Sequence, residues 1–174
     1  MRPRSTTGTA VLADPRRQLE GFVAKYPPAV VAIARAVLDG LERRLPGAVE
    51  LVYDKAKSLV IGFGPNERAS DCPLSIALYS RWVNLYFLEG AQLPDPDGLL
   101  KGTGTRVRHV TLSHANDFAD PRLQKLLTQA ITLADPPMPA KATRRTIVIK
   151  SVAPPPSTGR VKRPPDRTRP RQTR

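Results

Sequence analysis

Four side chains between residues 82 and 108 offer the chemistry of a small-molecule binding site. Trp82, Asn84 and Tyr86 are spaced two residues apart, and side chains at this spacing lie on one face of a β-strand. Aromatic rings beside an amide can line a ligand groove, and Arg108 on a later strand can meet an anionic ligand. The competing interpretation is that the aromatic residues pack under a helix or a loop and that Arg108 is solvated.

Two pairs of carboxylates form a second candidate site, for a hard cation. Asp39 and Glu42 lie three residues apart on one face of a predicted helix, and Glu50 and Asp54 share a face of the strand that follows. Clustered carboxylates can hold a divalent cation through their oxygens. Two arginines fall on the same helix face, so ordinary ion pairs are the competing interpretation.

Motifs for nucleophilic or metal-dependent catalysis are not visible. One cysteine, Cys72, excludes a disulfide within the chain and a cysteine-based zinc site, and nothing around it predicts a lowered thiol pKa. His109 and His114 have no partner at the spacing of metal ligands. The serines lack the Gly-x-Ser-x-Gly pattern of hydrolases. We therefore predict that the protein is not an enzyme.

The positive charge of the protein is concentrated near its C-terminus. The chain carries a formal net charge of +13, and residues 141–174 alone hold eleven basic residues against one acidic residue. Six prolines in residues 153–174 and almost no aliphatic side chains predict a disordered tail. Its basic residues suit phosphate contacts without sequence readout, although a solubilising tail is an equal alternative. The candidate nucleic-acid contacts are Arg160, Lys162, Arg163, Arg167, Arg169 and Arg171.

The elements that must position these residues follow from hydrophobic spacing. Apolar residues at helical spacing predict helices over residues 14–25 and 28–45 and a last helix that begins at Asp120. Alternating apolar residues predict strands over residues 49–54, 58–63, 74–78, 82–88 and 105–112, and a short strand over 146–152 is a further candidate. The short connections between the strands favour antiparallel pairing.

This order of elements predicts an α+β fold. We expect a two-layer sandwich of an antiparallel sheet of about five strands with N-terminal helices and a C-terminal helix. The domain covers residues 14–135, between a disordered segment 1–13 and a basic, mostly disordered tail 136–174. The chain has no apolar run of about 18 residues and no apolar core for a secretory signal, so we expect a soluble cytoplasmic protein without membrane contact.

Several segments of the domain carry a resemblance to a known family. They read LVIGFGPNERASD over residues 59–71, WVNLYF over 82–87, GAQLPDPDGLLKGTG over 90–104 and RHV over 108–110. Together they resemble the YdhG-like domain family, over about residues 20–133. The resemblance implies an α+β sandwich of unknown function. One branch of the family is described as a frataxin-like iron chaperone, which implies an acidic ridge on the first helix and strand.

The sequence thus favours a non-enzymatic binding module for a small ligand or a metal ion. The ligand site is expected on one face of the sheet and the adjoining loop rich in glycine and proline, and iron is the only cofactor that the resemblance implies. Nucleic-acid association through the basic tail is the alternative function.

Overall fold

The computed structural model describes residues 14–141 and 145–154, which form one α+β fold. Its helices are α1 (Pro15–Val23), α2 (Pro28–Arg44) and α3 (Pro121–Thr132). Its strands are β1 (Val49–Lys55), β2 (Ser58–Gly64), β3 (Leu74–Leu78), β4 (Val83–Phe87), β5 (Arg108–Leu112) and β6 (Thr146–Ser151). The predicted fold class is confirmed, with six strands instead of about five.

Each helix begins at a proline, whose missing N–H group costs nothing at the first helical position. The carboxylates of Asp14 and Asp120 cap α1 and α3, each accepting a hydrogen bond from the backbone N–H group two residues later. Helix α2 ends at Arg44, shortly before Pro46, as its apolar spacing predicts. Within the described residues, no helix is long and apolar enough to cross a membrane.

The six strands form one sheet in the order β5-β4-β3-β2-β1-β6. The first five strands of the chain pair antiparallel with their neighbours, whereas β6 runs parallel to β1, so the sheet is mixed instead of antiparallel. Strand β6 joins the sheet because Ile147 and Ile149 pack against the hydrophobic core. The folded unit therefore extends beyond the predicted boundary at residue 135 and includes part of the predicted tail.

One face of the sheet packs against the three helices and forms the core. A row of buried residues crosses this face in register, namely Val52, Ile61, Ile76, Leu85 and Val110. The neighbouring row on the opposite face consists of Leu51, Gly62, Ser75, Tyr86 and His109. We call this opposite face, which points away from the helices, the open face.

Candidate functional site

The open face carries a groove of about 180 Å³. Its floor lies where two small residues, Gly62 on β2 and Ser75 on β3, stand opposite each other in register. The groove is lined by Tyr53, Val60, Gly62, Ala69, Cys72, Ser75, Tyr86, Leu88 and Val107. None of these described lining residues carries a carboxylate, ammonium, guanidinium or imidazole group, and the polar side-chain groups that they carry are three hydroxyls and one thiol.

Glycine in strand β2 allows the loop after the strand to fold back over the sheet. A Cβ atom on Gly62 would lie 3.0 Å from the Cys72 sulfur, and one on Gly64 would lie 2.8 Å from it. The loop is held by Asn66, whose side-chain amide donates a hydrogen bond of 2.9 Å to the Asp71 carboxylate. The two glycines therefore leave room for the Cys72 thiol. Because Gly62 has no side chain, it also makes the groove deeper at this point.

The Cys72 thiol is buried, and this burial raises its pKa to about 11, with the nearby Asp71 carboxylate acting in the same direction. Only the thiolate reacts with alkylating reagents. We expect iodoacetamide labelling of the folded protein, followed by mass spectrometry, to accelerate about tenfold per pH unit between about pH 8 and pH 10. Cys72 is the only cysteine in the chain, so every adduct reports on it.

The matched control is the same labelling in denaturant, where the thiol regains its ordinary pKa and the rate approaches its plateau within that pH range. A rate that also reaches a plateau in the folded protein would contradict the raised pKa of the Cys72 thiol.

A chain of polar groups lies beside the groove, on β4 and the end of β3. The Asn84 side-chain amide donates a hydrogen bond of 3.2 Å to the Tyr86 hydroxyl, which lies 3.3 Å from the Tyr79 hydroxyl. The rings extend this cluster, because the Trp82 ring packs 5.6 Å from that of Tyr79 and the His109 ring 5.4 Å from that of Tyr86, measured between centroids. The lining residue Tyr86 is thus held by partners on both sides.

Within this cluster, one hydrogen bond joins the hydroxyls of Tyr79 and Tyr86, and either oxygen can be its donor. The hydrogen bond to Tyr86 raises the pKa of Tyr79 to about 12, and burial adds to the shift. The Tyr86 oxygen accepts a hydrogen bond from the Asn84 amide, and its hydroxyl forms a second hydrogen bond with the Tyr79 hydroxyl.

Asn84 carries an uncompensated polar atom. Its side chain is only 8% exposed, and its Oδ1 atom has no hydrogen-bond partner among the described residues. Exchanging the amide oxygen and nitrogen would leave the nitrogen unpaired instead. A buried polar atom without a partner costs about 1–3 kcal/mol of stability. Unpaired polar atoms of this kind are typical of functional sites, where a polar group is kept for binding or catalysis although it lowers the stability of the fold.

The structure brings two of the four predicted ligand residues to the groove region. Asn84 and Tyr86 lie on the open face, and Trp82, 39% exposed, lies just before β4 against Tyr79. Arg108 is not part of this group. It pairs with Phe87 and therefore shares the helix-facing side of the sheet with Val110, and its guanidinium donates hydrogen bonds to backbone carbonyl groups of Gly104 and Val107.

The error for Arg108 has an identifiable cause. Side-chain direction alternates along a strand, so the choice of face depends on which residues of β5 are buried. Arg108, Val110 and Leu112 are spaced two residues apart, so their side chains point to the same face of β5. Because Val110 and Leu112 are apolar and buried, this spacing is the signal in the sequence that predicts the helix-facing position of Arg108. The floor residues Gly62 and Ser75 were not singled out, because small side chains carry no chemical signature of their own.

The four predicted cation ligands do not form a metal site. Arg145 lies between two of them: its guanidinium contacts the Glu50 carboxylate at 2.5 and 2.7 Å and the Glu42 carboxylate at 2.7 Å. Asp54 is paired with Lys25 at 2.8 Å. Asp39 is exposed, and the described residues contain no group of three or more metal-ligating side chains. The carboxylates therefore pair with cations of the chain itself, and their main partner comes from the predicted tail, not from the helix.

The predicted nucleic-acid contacts, Arg160, Lys162, Arg163, Arg167, Arg169 and Arg171, lie outside the described residues. Two basic residues of the same region are engaged within the fold, Arg145 as above and Lys150, whose ammonium lies 2.8 Å from the Glu67 carboxylate. Nucleic-acid association through the basic tail, residues 141–174, therefore stays a prediction.

Comparison with protein-family models, with curated proteins and with solved structures finds no match to this chain. The resemblance to the YdhG-like family accordingly stays a prediction that rests on the segments quoted above. A functional conclusion for this protein has to be drawn from the geometry of the open face.

Proposed function

We propose that the protein is a binding module for a small, uncharged organic ligand, which occupies the groove on the open face. The observation that carries this proposal is the groove itself, with its low floor at Gly62 and Ser75 and its lining without charged side chains. A concave, largely apolar site with a few polar groups is the usual form of a small-molecule site. A metal ion has less support, because the candidate carboxylates are engaged with Arg145 and Lys25.

Two further features support this site. Tyr86 is fixed by Asn84 and Tyr79, and a lining residue that is already ordered loses little freedom when a ligand binds. The orphaned Asn84 oxygen supports the proposal, because a buried polar atom without a partner costs stability and is typical of functional sites. The side chains of this cluster are therefore already ordered beside the groove before a ligand binds.

The groove can be tested by filling its floor. Ser75→Leu places a large apolar side chain over the floor, and Ser58→Leu is the matched control, since Ser58 lies on the same face of β2 outside the lining. The probes are acetophenone, α-methylstyrene and benzoate, titrated into the ¹⁵N-labelled full chain. Single-ring probes of this size are expected to bind with dissociation constants on the order of 1 mM.

We expect saturable shift changes at amides of β2, β3 and β4 with at least one of the two neutral probes. These changes should be lost in Ser75→Leu and kept in Ser58→Leu, and benzoate should bind at least about tenfold more weakly because its charge finds no partner. The proposal fails if neither neutral probe gives a saturable change, or if Ser75→Leu leaves the changes intact.

A further inference from the structure

A surface that the groove does not use lies at the end of the sheet where β1 turns into β2 and β3 turns into β4. Lys55 and Ser58 stand opposite each other across the first turn, and the register of β2 with β3 places Tyr79 beside Ser58. The Tyr79 N–H group donates a hydrogen bond of 3.0 Å to the Trp82 carbonyl group across the second turn. Because neighbouring strands are about 4.8 Å apart, these four residues form one row of about 15 Å.

Positive charge is in excess at this end of the sheet. Lys55, Lys57 and Arg81 are exposed, and none of them forms an ion pair with the residues that the structure describes. Lys55 and Lys57 line a shallow depression with Lys25, and the acidic residue in its lining, Asp54, is paired with Lys25 at 2.8 Å. The three exposed cations are therefore available to an anionic partner, and phosphate groups are anions that lysine and arginine side chains commonly bind.

Trp82 places an aromatic surface next to these cations. It is 39% exposed, and its ring packs against that of Tyr79 with 5.6 Å between the centroids. Trp82 is not part of the groove lining, and it directly follows the exposed Arg81 in the turn. Aromatic rings combined with basic side chains are typical of surfaces that bind single-stranded nucleic acids, because bases stack on the rings and the cations contact the phosphates.

We propose that this end of the sheet binds single-stranded nucleic acid, with one base stacked on Trp82 and backbone phosphates held by Lys55, Lys57 and Arg81. A double helix fits this surface less well, because its bases are already stacked on one another and only its backbone can be contacted. The surface lies outside the groove, so the inference goes beyond the proposed function and does not depend on it.

The course of the chain brings further positive charge to the same place. Ala153 and Pro154, which follow β6, also line the depression. Residues 155–174, which begin there, contain seven basic residues and one acidic residue. The predicted tail contacts are therefore joined to this end of the sheet by a few residues of chain, so both can contact one nucleic-acid strand.

The first measurement uses the fluorescence of Trp82, which is the only tryptophan in the chain. The full chain is titrated with oligothymidylate of about 15 nucleotides, which is long enough for one site of this kind, and with inorganic polyphosphate, which carries the charges without the bases. We expect saturable quenching by oligothymidylate, because a thymine base stacks on the indole ring. Polyphosphate should leave the fluorescence nearly unchanged.

Variants assign the binding to individual side chains, with the affinity measured by the fluorescence anisotropy of labelled oligothymidylate. Trp82→Ala should weaken binding about tenfold through the loss of one stacked base. The double variant Lys55→Ala/Lys57→Ala should lower the slope of log affinity against log salt concentration by about 0.7 for each lysine. The matched controls are Leu133→Ala and Lys125→Ala, exposed residues at α3 outside the depression, which should change neither quantity.

The outcomes decide between this surface and the basic tail alone. The inference is overturned if oligothymidylate does not quench Trp82, or if a duplex of the same length binds as tightly as the single strand, whereas we expect a preference for the single strand of at least about fivefold. It is also overturned if the variants at Trp82 and at the two lysines leave the binding unchanged, since the tail then accounts for it. The groove is tested with different probes, so either idea can fail without the other.

Discussion

Alanine in place of Arg145 is expected to lower the free energy of unfolding by about 3–5 kcal/mol, the usual cost of breaking a buried ion pair. The Glu50 residue is only 2% exposed, and both of its carboxylate oxygens accept hydrogen bonds from the Arg145 guanidinium. Loss of the guanidinium would leave that carboxylate buried without an opposite charge. The measurement is urea denaturation of the full chain near neutral pH, followed by circular dichroism.

The matched control for this prediction is Lys150→Ala, which removes an ion pair from the same region of the chain. Lys150 in β6 also forms an ion pair, but its partner Glu67 has a side chain that is 63% exposed. Surface pairs of this kind contribute little, so Lys150→Ala should change the stability by about 0.5 kcal/mol or less. Equal losses in the two variants, or a loss below about 1 kcal/mol for Arg145→Ala, would contradict the role of the buried pair.

The pKa of the Glu42 carboxylate should also change in Arg145→Ala. Burial raises its pKa, and the Arg145 guanidinium partly opposes this effect. Without Arg145, the folded state would hold the Glu42 proton to a still higher pH. A raised pKa in the folded state favours the protonated form, so the variant should lose further stability as the pH rises through that pKa and regain part of it at lower pH.

Helix and strand periodicity in the sequence was sufficient to predict most of the fold. Helix α2 was predicted over residues 28–45 and is observed as Pro28–Arg44, because its apolar residues repeat along one face and Pro46 stops it. Strands β1 to β4 were placed within one or two residues of their observed ends by the alternation of apolar side chains. Local patterns of this kind follow from backbone geometry, so they can be identified without knowledge of the partner elements.

Contacts between distant parts of the chain could not be predicted in this way. The alternation of Ile147 and Ile149 indicates a strand, but it does not show that β6 pairs parallel with β1. Arg145 and Glu50 are 95 positions apart, and nothing local connects their charges. Basic residues near a proline-rich segment were therefore assigned to a tail, although two of them are part of the fold.

The candidate site shows the same limit. Asn84 and Tyr86 were recognised from an aromatic and amide pattern within one strand, whereas the groove floor depends on the register between β2 and β3. Gly62 and Ser75 form a depression only because larger residues such as Tyr53 and Tyr86 stand around them. A site that is defined by what its neighbours leave open becomes visible only when the sheet is assembled.

Gly40→Ala is the second substitution with a large expected effect. Alanine in place of glycine inside a helix normally stabilises a protein by about 1 kcal/mol. At Gly40 of α2, however, an added Cβ atom would lie 2.0 Å from Cε1 of the buried Phe118 ring. The ring or the helix must move, and overpacking of this kind costs about 1–3 kcal/mol or more. We expect a net loss of about 2 kcal/mol in the free energy of unfolding, measured by urea denaturation.

Gly21→Ala in α1 is the matched control, since an added Cβ atom there has no neighbour within 4 Å. This variant should gain about 0.5–1 kcal/mol from helix propensity alone. Phe118→Leu should cost stability by itself, yet combined with Gly40→Ala it should cost less than the sum of the two changes, because the smaller side chain leaves room for the methyl group. A stabilising Gly40→Ala, or strictly additive effects in the double variant, would show that close contact with Phe118 is not what requires glycine in this helix.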